Sequence, residues 1–246
     1  MTTEPTILTG ATNEGVHNKA MDLTVKRLQT GKQYTDLRTV CVRPTRDGHV
    51  HVRVMQAWEQ LMKPMNNPFI NMDIFNMEVG DAYEAAVENI LAHPELSKWK
   101  FMLTLESDNL PPADGLLNLY KSICHCPKLC QDHPAQVAGL YFTKGEAGQP
   151  MIYGNPKGIL GFQPQVPIPD KLQECNGTGM GFTLFRLDLF RDKKIEKPWF
   201  KTVQENGSQG TQDLFAMAKF RKAGYKIASD NRVRVGHFDE ATGIVW

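Results

Sequence analysis

Two carboxylates at the end of an apolar run are the residues in this sequence whose types and spacing best suit chemistry. The segment FMLTLESDNLPP (101–112) has the pattern of a buried strand that ends in Glu106 and Asp108, just before two prolines. Such a pair can hold one divalent cation together with the ribose or phosphate oxygens of a nucleotide, because Mg²⁺ and Mn²⁺ prefer oxygen ligands. The alternative is a simple turn, since Ser, Asp, Asn and Pro are common turn residues.

A second group of potential metal ligands lies in CHCPKLCQDH (124–133). Its C-x-C-x-x-x-C-x-x-H spacing is not one of the common zinc patterns, although the number and types of ligands suit Zn²⁺. Two interpretations therefore stay open: a structural Zn²⁺ that braces a loop, or free thiols in a loop. The ligands would be Cys124, Cys126, Cys130 and His133.

Charge and composition exclude some classes of function. The 246 residues include 28 Lys and Arg against 27 Asp and Glu, so there is no overall field that would attract a polyanion. The first residues, MTTEPTILTGATNEG, lack the basic and apolar regions of a signal peptide, and no apolar run reaches the roughly 18 residues of a membrane span. Five cysteines without a secretion signal favour a reducing compartment. We expect a cytoplasmic protein.

The carboxylate pair must be positioned by an alternation of strands and helices. Strands are predicted at 37–45, 68–75 and 100–107, helices at 49–63, 81–93 and 116–126, then a strand at 135–143, loops and short strands at 144–173, a helix at 211–225 and a strand at 226–238. The alternation in the first half predicts right-handed crossovers and a parallel sheet covered on both faces. Ligands bind such sheets beyond the carboxyl ends of the strands, where Glu106 and Asp108 fall. We expect an N-terminal arm (1–35) and a single α/β domain (36–246).

The order of several motifs resembles the GT-A class of glycosyltransferases, which use nucleotide-sugar donors. The resemblance covers about residues 37–246, and it is nearest to the short, soluble members from bacteriophages and bacteria. It implies a GT-A (Rossmann-like) three-layer α/β sandwich with a central mixed, mostly parallel sheet. The segments that carry it are CVRPTRDG (41–48), LTLESDNLPPADGLLNL (103–119), QVAGLYFT (136–143), GTGMGFTLFRLDLF (177–190), KPWF (197–200) and the residues from 211 to 246.

The resemblance also implies roles for individual residues. Asp108 and His237 would bind Mn²⁺ or Mg²⁺, with Glu106 as a further ligand or a ribose contact, although Glu106 stands where the family usually has Asp. Asp213 would be the general base of an inverting hexosyl- or pentosyltransferase, but its neighbour Gln212 replaces a usual Glu. An acid in the first turn of a helix also favours the helix dipole without any catalytic role, and a retaining reaction stays open. The donor would contact Pro44, Thr45, Arg46, Asp73, Glu106, Ser107 and Gly179.

Two further groups of residues have two interpretations each. Gly177, Gly179 and Gly181 would let the backbone approach a sugar closely. Trp199 and Phe200 would either line the acceptor site or pack in the core.

We expect a hydroxyl group as the acceptor, and a hydroxymethylated base of phage DNA is one hypothesis, which would place the protein in the host cytoplasm. Hydroxyl groups of the cell wall, of lipopolysaccharide or of a protein stay open as acceptors. A series of basic residues would then follow the DNA backbone, although interspersed acids favour a solvated arm. The series is Lys19, Lys26, Arg27, Lys32, Arg38, Arg43, Arg46 and Arg53. The alternatives to a glycosyltransferase are a nucleotidyltransferase that makes a sugar nucleotide, for which RPTRDGHV (43–50) has too few glycines, and a non-catalytic sugar- or nucleic-acid-binding module.

Overall fold

A computed structural model describes residues 36–65, 67–205 and 208–246. The predicted N-terminal arm, with Lys19, Lys26, Arg27 and Lys32 of the basic series, lies outside the described residues. Within the described part of the chain, no helix combines the length and the apolar character needed to cross a membrane.

The described residues form strands and helices that we number in chain order. The strands are β1 (Thr39–Thr45), β2 (Phe69–Phe75), β3 (Phe101–Leu105), β4 (Asn109–Leu110), β5 (Gln136–Leu140), β6 (Ile152–Tyr153), β7 (Leu172–Cys175), β8 (Gly177–Thr178), β9 (Phe182–Arg186), β10 (Val203–Glu205), β11 (Ser208–Gly210), β12 (Ile227–Arg234), β13 (Gly236–Asp239) and β14 (Ile244–Val245). The helices are α1 (Val52–Gln60), α2 (Val79–Ala92), α3 (Gly115–Ser122) and α4 (Gln212–Lys222), with 3₁₀ turns at Leu96–Lys98 and Leu187–Arg191.

A mixed seven-stranded sheet is the centre of the fold, in the order β2-β1-β3-β9-β5-β12-β7. β1 pairs in parallel with β2 and β3, and β5 pairs in parallel with β12. β9 is antiparallel to β3 and β5, and β7 is antiparallel to β12. Five of the seven strands therefore run in one direction. The expected α/β class with a mixed sheet is confirmed.

Helices cover both faces of this sheet, which makes three layers. Alternate residues of a strand point to opposite faces. On one face Val40, Val42 and Met102 pack in the core that includes α2 and α4. On the other face Cys41 and Leu103 belong to a second core that includes α1 and α3.

Besides shifted element ends and the division of the strand predicted at 226–238 into β12 and β13, two elements differ from the sequence-based expectation. The helix expected at 116–126 ends at Ser122, because the chain turns back there and the Cys124 N–H donates to the Pro134 carbonyl at 2.8 Å. The second difference is β9, which was not predicted as a strand and which lies antiparallel between β3 and β5. The apolar run of β9 directly follows Gly177, Gly179 and Gly181, a stretch that indicates a loop in the sequence, so the strand was not recognised.

Candidate functional site

Several candidate residues lie at the edge of the sheet where the sequence predicts them. β1, β3, β5 and β12 run in the same direction, so the residues that follow them meet at one edge. β9 runs the opposite way, so its beginning lies at this edge, and the Glu106 N–H donates to the Gly181 carbonyl at 3.0 Å.

Asp108 and His237 are 129 residues apart in sequence and adjacent in space. β13 pairs antiparallel with β4 and sets His237 opposite Asn109, while the Phe238 N–H donates to the Asp108 carbonyl at 2.7 Å. His237 also exchanges two main-chain hydrogen bonds with Trp246. The result is a separation of 3.2 Å between His237 Nε2 and Asp108 Oδ2.

The ring orientation of His237 is set by its other nitrogen. Nδ1 lies 2.7 Å from the carbonyl oxygen of Phe142, which can only accept, so Nδ1 carries the hydrogen. Nε2 then faces the carboxylate of Asp108. This arrangement is favourable when a proton or another cation lies between the two atoms.

Lys144 is a functional candidate that sequence reasoning missed. Its Nζ lies 2.7 Å from Asp108 Oδ2. Although burial opposes it, hydrogen bonds from His237 and Lys144 hold the pKa of Asp108 below its ordinary value. A signal was present, because Lys144 directly follows the predicted strand at 135–143 and so belongs to the same edge of the sheet.

Glu106 differs from Asp108 in its preferred charge state. Tyr83 of α2 donates a hydrogen bond to Glu106 Oε1 at 2.9 Å. Burial, followed by the negative charge of Asp108, raises the pKa of Glu106 to about 7, and the bond from Tyr83 opposes this rise. Tyr83 was also missed, since in sequence it reads as an ordinary residue on a helix.

Asp213 lies in the first turn of α4 and its residue surface is only 6% exposed. Its Oδ1 accepts a hydrogen bond from the Leu214 N–H at 2.8 Å. Burial raises the pKa of Asp213, and hydrogen bonds from Thr211 and Leu214 oppose the rise. The charge of Asp213 contributes to the raised pKa of Glu106, so the structure brings this predicted base into the electrostatic range of the carboxylate pair.

The glycine-rich stretch makes room for protein side chains. A Cβ on Gly179 would overlap Tyr141 Oη, and a Cβ on Gly181 would overlap the side-chain amide of Asn109. The Gly181 N–H donates to Tyr141 Oη at 3.0 Å. The space beside these two glycines, which was expected to admit a sugar, is therefore filled by Tyr141 and Asn109, and a contact between the Gly179 backbone and a donor stays a prediction.

Asn109 is a third residue that sequence reasoning missed. Its side chain is fully buried, and within the described part of the chain neither amide atom has a hydrogen-bond partner. An unpaired buried amide costs free energy, and it lies directly beside Asp108.

The donor-binding residues predicted on the first two strands differ in exposure and in contacts. Pro44 and Thr45 are buried at the carboxyl end of β1, and Arg46 is exposed just beyond it. The Asp73 carboxylate accepts two hydrogen bonds from the Arg43 guanidinium, one from Nε and one from Nη2, at 2.7 Å each. The Asp73 carboxylate is therefore engaged by Arg43, and a ribose would have to compete with that pair. Ser107 lies in the turn between β3 and β4, partly exposed.

Trp199 and Phe200 belong to the core. Both rings are almost fully buried and both contact Phe190, with ring centroids 5.7 Å apart in each case. Their N–H groups donate to Oε2 of Glu84 on α2. The core interpretation is confirmed, and they do not line an acceptor site.

The described members of the basic series are mostly engaged within the protein. Arg38 pairs with Asp36 at 2.7 Å, Arg43 pairs with Asp73, and Arg53 donates to the Gly243 carbonyl at 3.0 Å. These contacts leave little support for a DNA-binding stripe along this part of the chain.

The predicted zinc ligands converge. The ligand atoms of Cys124, Cys126, Cys130 and His133 all lie within 4.8 Å of one another. The cluster follows α3 and is separate from the Asp108 site in sequence and in its contacts.

Comparison with known proteins gives a likeness of fold. No family model matches the chain, and no curated protein matches it. The solved structure of A197 from STIV is 17% identical, with a TM-score of 0.56 over 82% of this chain and 86% of that one. A nucleoside-diphosphate-sugar pyrophosphorylase from Vibrio cholerae RC9 is 10% identical, with a TM-score of 0.39 over 80% of this chain and 93% of that one. The similarity to A197 supports the α/β fold described above.

Proposed function

We propose that this chain is a metal-dependent glycosyltransferase that moves a sugar from a nucleoside-diphosphate sugar to a hydroxyl acceptor. The observation that supports this most is the meeting of Asp108 and His237 at 3.2 Å, beside Glu106, at the carboxyl edge of the sheet. Asp213 adds a buried carboxylate whose charge reaches the same group of residues.

The donor atoms of Asp108 and His237 fit a divalent cation. Adjacent ligands in octahedral coordination with bonds of about 2.1 Å lie about 3 Å apart, close to the observed 3.2 Å. A metal-binding histidine normally donates its other ring N–H to a carbonyl or a carboxylate, as Nδ1 of His237 does to Phe142. Asp108 and His237 would hold Mn²⁺ or Mg²⁺, with Glu106 as a second carboxylate nearby. Such a cation supplies positive charge for the leaving diphosphate.

The protein also has a positively charged side chain, that of Lys144, beside Asp108. Lys144 carries an ammonium 2.7 Å from Asp108 Oδ2, within the same edge of the sheet. A flexible lysine at that position is able to turn from the carboxylate to a phosphate oxygen of the donor. Lys144 is therefore our candidate for a direct contact to the diphosphate.

Transfer proceeds by displacement at the anomeric carbon. The acceptor oxygen forms a bond to that carbon, the bond from the carbon to the terminal phosphate oxygen breaks, and the nucleoside diphosphate leaves with the electron pair. Asp213 takes the proton of the acceptor hydroxyl. Its raised pKa makes the carboxylate a stronger base than an exposed aspartate, and a single base of this kind suits an inverting reaction.

The test is the release of nucleoside diphosphate from a panel of sugar nucleotides, with Mn²⁺ and with water as the acceptor. We expect release from one class of donor, and loss of that release in Asp108→Asn and His237→Gln. Asp170→Asn is a matched control, because Asp170 is 72% exposed and lies in a left-handed backbone conformation (φ 54°) that Asn also accepts. Undiminished release in Asp108→Asn would overturn the proposal. Formation of pyrophosphate from a nucleoside triphosphate and a sugar 1-phosphate would identify a nucleotidyltransferase instead.

A further inference from the structure

Three sulfur atoms and one imidazole nitrogen face a common centre just after α3. Cys130 Sγ lies 3.3 Å from Cys124 Sγ, 3.4 Å from Cys126 Sγ and 3.5 Å from His133 Nδ1. Cys126 Sγ lies 4.0 Å from the same nitrogen. In a tetrahedral zinc site with Zn–S bonds of about 2.3 Å, sulfur atoms lie about 3.8 Å apart, so the cluster has nearly the required size.

A disulfide explains this arrangement less well. The cysteines of the cluster are free. Cys130 is about equally far from Cys124 and from Cys126, so the geometry does not select one pair. A disulfide would also leave the third thiol and His133 without a reason to converge on the same point, whereas a metal ion uses all four ligands.

A buried guanidinium provides an independent observation. The Arg186 side chain is 2% exposed, and its Nη1 donates to the carbonyls of Cys124 and Cys126 at 2.9 Å each. The same nitrogen lies 3.7 Å from Cys124 Sγ. Three thiolates around Zn²⁺ carry a net charge of −1, and the Arg186 guanidinium, whose Nη2 pairs with Asp188, faces that charge with Nη1. Donors that hold ligand residues in place in this way are typical of metal sites.

The position of the cluster indicates what a metal would do there. Residues 123–135 connect α3 to the buried strand β5, and Arg186 is the last residue of β9. Burial decreases along the ligand series, from the buried Cys124 to the exposed His133. The site therefore lies at the rim of the domain and joins a connecting segment to the end of a core strand.

We infer that Cys124, Cys126, Cys130 and His133 bind one Zn²⁺ in a closed tetrahedral site that braces residues 123–135 against Arg186 at the end of β9. Four protein ligands leave no open position for substrate, so the metal is structural. The inference is independent of the glycosyltransferase proposal.

The test is the metal content of the purified protein and its response to Co²⁺ alone. We expect one zinc per chain in the wild type, and after exchange the visible absorption bands of tetrahedral, thiolate-bound cobalt. Cys130→Ser should lose both signals, and chelation should lower the melting temperature of the wild type while leaving that of Cys130→Ser unchanged. Cys175→Ala is the matched control, since Cys175 is a free cysteine outside the cluster, and Asp108→Asn should also keep its zinc.

If Cys130→Ser fails to fold, variants of His133 still test the zinc site. His133 is exposed, so His133→Ala removes a ligand with little loss of packing and should weaken zinc binding, while His133→Cys restores four ligands and should retain the metal. Folded wild-type protein without zinc and without cobalt bands would overturn the inference. So would full zinc content in Cys130→Ser, or a Cys124–Cys130 disulfide in freshly prepared protein.

Discussion

Lys144 Nζ lies 2.7 Å from Asp108 Oδ2, the same carboxylate oxygen that His237 Nε2 approaches at 3.2 Å. One oxygen is thus shared by an ammonium and an imidazole. A divalent cation that binds Asp108 and His237 must replace the ammonium on that oxygen. Lys144 therefore pairs with the negative charge of Asp108 in this structure, and under our proposal it would become available to a phosphate when a metal binds.

Lys144→Met should tighten the binding of Mn²⁺ in the absence of nucleotide. The competing ion pair is about one-third exposed on both sides, and such pairs contribute about 0.2–1 kcal/mol, which corresponds to a change in Kd of up to about fivefold. The same variant should weaken binding of a nucleoside diphosphate, because a phosphate contact is lost. Titration calorimetry measures both effects. Lys157→Met, at an exposed lysine outside the described ion pairs, should change neither, and weaker Mn²⁺ binding in Lys144→Met would contradict the competition.

Asp213→Asn should abolish transfer and leave donor binding intact. Loss of a general base typically lowers the rate by about 10²–10⁴-fold. The amide retains an oxygen that can accept the hydrogen bond from the Leu214 N–H, so the local structure should persist. Asp81→Asn is a suitable comparison, because Asp81 is also an acid in the first turn of a helix but is exposed. Transfer at the wild-type rate in Asp213→Asn would remove Asp213 from the mechanism.

The same variant should be more stable than the wild type at neutral pH. Burial raises the folded-state pKa of Asp213, so the unfolded chain releases this proton at a lower pH than the folded protein does. At pH values below the unfolded pKa, Asp213 is protonated in both states and does not lower the free energy of unfolding. The cost appears as the pH rises from the unfolded pKa, about 3.9, through the folded value.

The melting temperature of Asp213→Asn relative to the wild type should therefore increase from acidic to neutral pH. Thermal denaturation at a series of pH values tests this prediction. A difference that stays constant would mean that the folded pKa of Asp213 equals its unfolded pKa, and a difference that decreases as the pH rises would mean that the surroundings stabilise the carboxylate.

Tyr83→Phe should destabilise the fold, because it removes the hydrogen bond to Glu106 Oε1 without changing the shape of the buried ring. We expect a loss of about 1–2 kcal/mol in the free energy of unfolding, as for a hydrogen bond to an ionisable group. Tyr153→Phe is the comparison, since among the described residues that hydroxyl is paired with the weak acceptor Met151 Sδ alone, at 3.0 Å. Equal stabilities of Tyr83→Phe and the wild type in urea would show that the bond is not formed in solution.

Much of the frame of the site could be predicted from local sequence. The first three strands and their helices follow from hydrophobic periodicity, and the place of Glu106 and Asp108 follows from the end of β3. By contrast, β9 directly follows a glycine-rich stretch that indicates a loop, and its antiparallel insertion between β3 and β5 depends on long-range pairing, so the strand was not recognised. The register between strands could not be predicted either. Arg43 and Asp73 lie directly opposite each other on β1 and β2, which explains why Asp73 forms an ion pair with Arg43.

Long-range contacts account for the rest of the site. His237 reaches Asp108 only because β13 pairs with β4, across 129 residues, and no local pattern encodes that pairing. His237 and Asp213 were proposed from resemblance alone. Tyr83 and Lys144 were missed because their roles depend on partners from other elements of the chain, 23 and 36 residues away. The cysteine cluster was visible in sequence, since its four ligands fall within ten residues, but its convergence needed the turn after α3.

The most direct test of the central claim is the melting temperature of the protein with each nucleoside diphosphate and sugar nucleotide, with and without Mn²⁺. Binding at a hundredfold excess over Kd adds about 2.7 kcal/mol of stability, which raises Tm by roughly 5–10 °C in a domain of this size. We predict such a rise for one nucleotide, only with Mn²⁺ present, and its loss in Asp108→Asn and His237→Gln. If no nucleotide raises the melting temperature, the account of a metal-dependent sugar-nucleotide site at this edge of the sheet is contradicted. A rise that is independent of Mn²⁺ and of Asp108 would contradict it as well.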